Sequence, residues 1–167
     1  MSELISYMMK SASGQILPAM VGTLKKAKAY IAEREIEESV LLSARLFPDM
    51  HPLLRQYQMA ADAAARGAAR LAGLEMPSFP DTETNIDELA ARLEATSAFI
   101  QSVDDAALDA SALKVLEIPL GPMTVNWEGR QYLSTFVLPN LHFHASIAFA
   151  LLRHQGVAIG KRDFLTA

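Results

Sequence analysis

The stretch PNLHFHASIAFALLRHQGVAIG, Pro139 to Gly160, decides the fold, because its apolar residues recur at helical and not at strand spacing. Extended backwards, the apolar stripe passes through Leu133, Val137, Leu141, His144, Ala148 and Leu151. At about 100° per residue these positions share one side of a helix. A helix is expected from about Gly129 to Gln155, with a bend or restart at Pro139 and Gly156 just past its end. Such a stripe needs other helices to cover it, so the chain reads as an all-α bundle. Three of the four histidines fall in the quoted stretch, and His144 stands in the middle of the inward face.

Immediately upstream the period changes. In KVLEIPLGPMTVNWEGR, Lys114 to Arg130, Val115 and Glu117 alternate with Leu116 and Ile118, cross Leu120-Gly121-Pro122, and resume at Met123, Val125 and Trp127. That is a β-hairpin before the last helix, and a two-stranded ribbon must lie against the bundle to be stable. The rest of the chain reads as helix. A first helix spans about Ser2 to Arg34, bent or restarted near Pro18, and a short one, Glu37 to Leu46, is stopped by Pro48. Asp49 to Pro52 opens the next, with Asp49 as its cap, and it runs to Ala72 before Gly73. Its inner side is almost all alanine (Ala61, Ala64, Ala65, Ala68), which lets a neighbouring helix approach closely. The linker LEMPSFPDTET leads to a cap at Thr84 or Asn85 and a third long helix, Ile86 to Ser102. A polar connection with a turn of helix follows to Ser111, and the tail VAIGKRDFLTA is expected to dock on the bundle or on a partner chain.

The chain's 167 residues fit one domain, 1–167, large enough to bury its own core. With no cysteine, disulfides, thiolate metal sites and a cysteine nucleophile are excluded. A formal charge of −4 and a single dense basic cluster, Lys25, Lys26 and Lys28, argue against a nucleic-acid partner. That cluster is read as a solvated helix face. The start lacks the pattern of a signal peptide, and charged side chains are expected to interrupt every apolar stretch short of a bilayer span. The expectation is a cytoplasmic protein without a membrane partner.

The histidines carry whatever chemistry the sequence offers. His144 needs a partner for at least one ring nitrogen, and Asp62, Gln58 or a backbone carbonyl are the available acceptors. It is read either as a satisfied core histidine or as a metal ligand or general base between helices. His142 points about 200° away and is expected at the surface or an interface. His154 lies in the last turn, where a positive ring suits the helix dipole. His51 is expected to cap or to pack against Phe47. Metal spacing is missing, because position 148 is Ala, 140 is Asn and 141 is Leu. A first-row metal would need Asp62 or His51 to complete its shell, and Asp62 has a competing i,i+4 partner in Arg66. No Gly-x-Ser-x-Gly elbow, phosphate loop or dinucleotide fingerprint occurs. Gly160, Lys161 and Arg162 form a basic turn that could meet a carboxylate across an interface.

The segments ARLFPDMHPLLRQ (Ala44 to Gln56), ARLAGLEMPSFPDTETN (Ala69 to Asn85), the hairpin, and PNLHFHASIAFALLRHQGVAIGKRDFL (Pro139 to Leu165) together resemble a bacterial family of unknown function in the DinB/YfiT-like superfamily. The resemblance implies a four-helix bundle with a long crossover, often a homodimer. In many members a metal is held by one histidine of the second helix and two, four apart, of the last, and some resemble metal-dependent hydrolases or thiol transferases. Carried over, His144 matches one ligand, Ala148 stands at its companion position, and the region Gln58 to Asp62 has no histidine. The leading expectation is therefore a DinB-like, ligand-binding or stress-associated homodimer with an incomplete triad and no cofactor. The alternative is an enzyme holding Zn, Ni or Mn in a site rebuilt from His144, Asp62 and His51 or His154.

Overall fold

The computed structural model describes residues 4–166. In chain order the elements are α1 (Leu4–Glu33), α2 (Glu38–Leu42), α3 (Leu53–Ala72), α4 (Ile86–Ser102), α5 (Asp105–Ala110), β1 (Val115–Leu120), β2 (Met123–Glu128), α6 (Gly129–His154) and α7 (Lys161–Leu165). The expected start at Ser2 lies outside the described residues. Four long helices, α1, α3, α4 and α6, form the bundle, so the all-α, four-helix expectation holds.

Side-chain contacts fix the directions of the helices. Gln58 meets Glu83 and Asp62 meets Arg92, so sequence numbers rise together and α3 and α4 run parallel. Parallel neighbours cannot share a tight loop, and residues 73–85 form the long crossover that carries the chain back along α3. Gln56 meets His144 while Gly67 meets Val137, so α3 and α6 are antiparallel. Lys28 meets Asp87 while Gln101 meets the Lys10 carbonyl, so α1 and α4 are antiparallel too.

The alanine stripe does what its residue sizes predict: Ala60, Ala61, Ala64, Ala65 and Ala68 are all 0% exposed. At Gly67 the approach is closer still, since a Cβ there would stand 2.3 Å from Val137 Cγ1. The stripe of α6 is inward throughout, with Leu133, Val137, Leu141, His144, Ala148 and Leu151 all buried. Gly156, at φ 94°, ends α6 with its own N–H bonded to the Arg153 carbonyl and that of Val157 to the Leu152 carbonyl. The hairpin pairs Val115 with Glu128 through Leu120 with Met123, around the two-residue turn at Gly121-Pro122. Leu116 and Ile118 face the core, and Trp127 packs on Phe136 with ring centroids 6.0 Å apart.

Several local expectations are corrected. α1 runs through Pro18 without a restart. The proline removes the bond to Gly14, and because Gly14 is exposed its carbonyl stays within reach of water. α2 stops at Leu42, well before Pro48. Asp49 does not cap α3. It sits in a turn closed by the Met50 N–H on the Phe47 carbonyl, and Pro52 occupies the cap position with no side-chain bond. Of the two candidate caps for α4, Asn85 is the one used, accepting from the Glu88 N–H at 2.9 Å.

Pro139 neither breaks nor restarts α6. The helix widens into a π turn over Leu133–Val137 just ahead of it. Steps of four from Leu133 to Val137 to Leu141 overshoot 3.6 residues per turn, and the wider turn absorbs the surplus. The expectation that charges interrupt every apolar stretch is also wrong for this helix. No charged side chain occurs from Gln131 to Leu152, and α6 is long and apolar enough to cross a membrane by length and composition. Its buried stripe against α3 is what a bundle helix presents.

Candidate functional site

The structure separates the candidate residues into two groups on opposite faces of α3. Residues 56 and 58 differ by about 200° around a helix, so Gln56 faces α6 whereas Gln58 and Asp62 face α4.

On the α6 side, His144 is 8% exposed and its Nδ1 lies 2.8 Å from Gln56 Oε1. The roles follow from the next bond: Gln56 Nε2 donates to the His51 carbonyl at 3.1 Å, which can only accept. The Gln56 oxygen is thereby turned to the ring, and His144 donates from Nδ1. Its Nε2 is left as a bare acceptor with no hydrogen bond among the described residues. Among the described residues the fully enclosed, unpartnered side-chain atoms are Arg92 Nε and Thr96 Oγ1, so His144 Nε2 keeps a path to solvent. Burial, and next to it the charge of His51, holds the His144 pKa below its ordinary value, which favours the neutral ring. The exposed Phe143 meets the ring edge-on at 5.2 Å.

On the α4 side lies a cluster that the sequence reading missed. Arg92, 4% exposed, sends Nη1 to both Glu83 oxygens (2.8 and 3.1 Å) and to the Pro80 carbonyl, and Nη2 to Asp62 Oδ1 and the Phe79 carbonyl. Asp81 adds a third carboxylate at 3.1 Å. Gln58 bridges the cluster, accepting from Arg55 and donating to Glu83, both at 2.8 Å. Burial alone would raise the Glu83 carboxyl and lower Arg92, but their shared hydrogen bonds outweigh it and favour the charged form of each. One guanidinium thus pins the crossover to both helices. Its signal was present in the sequence, because position 92 falls on the inner stripe between Leu89 and Thr96.

Asp62 therefore serves Arg92, with Arg66 a longer contact at 3.4 Å. Neither Asp62 nor Gln58 reaches His144. His51 is exposed at the entrance to α3, and its ring makes no hydrogen bond or aromatic contact with Phe47. His154 is exposed in the last turn of α6, roughly 15 Å along the axis from His144. His142 is half-buried, its Nδ1 2.7 Å from the Leu138 carbonyl one turn back. Among the described residues no three His, Cys, Asp or Glu side chains come together as metal ligands. In the basic turn Asp163 accepts from the Gly160 N–H at 2.8 Å and pairs with Lys26, while Lys161 and Arg162 are exposed. α7 docks on the bundle through Phe164, which packs edge-on against Phe149.

A family model described as a domain of unknown function, DUF1993, matches residues 9–165. Among solved structures, the chain is similar to the crystal structure of a DinB family member protein from Shewanella denitrificans, with a TM-score of 0.90 and 29% identity over 100% of this chain and 97% of that one. No curated protein matches.

Proposed function

The chain belongs to the family described as a domain of unknown function, DUF1993, and from that premise we propose that it is a non-catalytic, ligand-binding DinB-like bundle whose metal triad is incomplete. The observation that carries this reading is the bond from His144 Nδ1 to Gln56. A catalytic zinc or related ion takes about three protein ligands. Here the ring facing α3 meets an amide already committed to the His51 carbonyl, and Ala148, one turn on, offers no ligand atom. The protein is expected to purify without stoichiometric metal when no chelator is used, as measured by elemental analysis. Zn, Ni or Mn at one equivalent, lost in His144→Ala, overturns the proposal.

One observation favours the enzyme reading: His144 Nε2 is a bare acceptor with a path to solvent, and the chain that carries the exposed His51 is joined to this ring through Gln56. A hydrolase or thiol transferase would then gather an ion from His144 and His51, and the same metal analysis on His51→Ala separates the two. The bundle acts as a cytoplasmic homodimer. Support comes from the charge-free outer side of α6, where Phe143 is 56% exposed. Phe143→Glu is expected to shift sedimentation toward monomer, and an unchanged dimer would place the contact elsewhere.

A further inference from the structure

An apolar cleft lies away from His144, between α1 and α4. Its volume is about 730 Å³, and Leu17, Pro18, Val21, Gly22, Leu93 and Ala98 line it. Leu17 and Leu93 are fully buried, so the floor is the bundle core itself. Over Gly22 the cleft is open, since a Cβ built there meets nothing within 4 Å. A concave apolar site with few polar groups at its edge is the usual form of a small-molecule site, in a usual range of roughly 300–1,000 Å³.

The charges at the rim select the occupant. Lys26 is already neutralised by Asp163 at 2.7 Å. That leaves Lys25 on α1 and Glu94 on α4, neither with an ion pair among the described residues. The antiparallel register set by Lys28 with Asp87 and Gln101 with Lys10 offsets them by somewhat more than one turn, roughly 6–9 Å along the axes. A simple anion would satisfy Lys25 and meet Glu94 as a like charge, and a simple cation would do the reverse. A molecule with an apolar body and opposite charges at its two ends satisfies both. Ser97, half-buried on the same wall, adds a hydroxyl for a polar backbone.

We propose that the α1–α4 cleft binds a short apolar peptide with free ends, its carboxylate at Lys25 and its ammonium at Glu94. The proposal rests on the ligand-binding reading above, but not on His144. Failure here leaves that reading to its own test by metal content.

The experiment is calorimetric titration of the full chain with tri-leucine, with its N-acetylated, C-amidated form, and with octanoate. Tri-leucine is expected to bind. Blocking both ends should weaken it, and Lys25→Gln or Glu94→Gln should each weaken it roughly two- to fivefold, the size expected of one exposed ion pair. Gly22→Leu sends a side chain into the cleft from a Cβ that meets nothing within 4 Å and removes a helix-weakening glycine, so binding should vanish while circular dichroism and melting show a folded chain. The proposal is overturned by no heat with tri-leucine, by equal affinity for the blocked peptide or octanoate, or by unchanged binding in Gly22→Leu. It is equally overturned if sedimentation shows Gly22→Leu dissociating a dimer, which would assign the cleft to a second copy.

Discussion

Gly67→Ala tests the closest helix approach in the bundle, and it does so through the sign of the effect. At an open helical position this change stabilises, because alanine is favoured over glycine by about 1 kcal/mol. Here the added methyl would stand 2.3, 2.9 and 3.2 Å from Val137 Cγ1, Cγ2 and Cβ. Carbon atoms prefer roughly 3.5–4.0 Å, so Val137 would have to retreat by about 1 Å or more. It is 1% exposed and sits in the π turn of α6, where neighbours hold it on all sides. Overpacking of this kind costs about 1–3 kcal/mol. With the upper part of that range set against the helix gain, the expected net loss is about 1–2 kcal/mol, or a fall in Tm of roughly 3–6 °C. Urea denaturation of four proteins (wild type, each single variant and the double) gives the coupling directly. In a Val137→Ala background the two closest atoms are gone and only Cβ at 3.2 Å remains, so Gly67→Ala should become neutral or stabilising, with a coupling of about 1–3 kcal/mol. A Gly67→Ala protein more stable than wild type, or a double variant showing no coupling, would refute the reasoning.

Removing the guanidinium in Arg92→Leu leaves Asp62, Asp81 and Glu83 without their shared cation, and breaking such a buried pair costs about 3–5 kcal/mol. Chemical denaturation measures the loss, and limited proteolysis should begin within 74–85. A cost below about 1 kcal/mol would show that the crossover is held by something else. The depressed His144 pKa gives stability a pH slope. The unfolded chain takes up the proton more readily, so this contribution is complete above the unfolded value of about 6.5 and is lost as the pH falls through the lower folded value. In His144→Gln the difference in urea midpoint between pH 8 and pH 5 should shrink, and an undiminished difference would remove His144 from the account.

Much of this architecture could be read from residue spacing. The stripe from Leu133 to Leu151, the stops at Gly73 and Gly156 and the alternation of Leu116 and Ile118 each follow from a local rule, and all appear as expected. The partner of His144 did not. Alanine surrounds α3 on several sides, so nothing in its pattern says which face meets α6 and which meets α4, and the choice between Gln56 and Gln58 turns on that alone. Arg92 shows in the sequence as a charge on an inner stripe, but nothing in that stripe says what neutralises it. Its partners come from the crossover, whose path is set by the parallel order of α3 and α4. The continuity of α1 through Pro18 and of α6 through Pro139 was hidden for a related reason. A proline marks strain in one strand of the pattern, while packing along the whole helix decides whether the strain is borne.

The widened turn in α6 makes the helix two rigid rods joined out of phase. The turn before it, Gly129–Tyr132, carries Tyr132, the widened turn itself receives the hairpin's Trp127 on Phe136, and the long helix after it carries His144. Deleting one residue there would restore an ordinary α-helix at little backbone cost, yet rotate one rod against the other by about 100°. Either the imidazole would leave the glutamine or the ribbon would swing off the bundle. That single surplus residue is what allows the hairpin's seat and the histidine's seat to be satisfied at once.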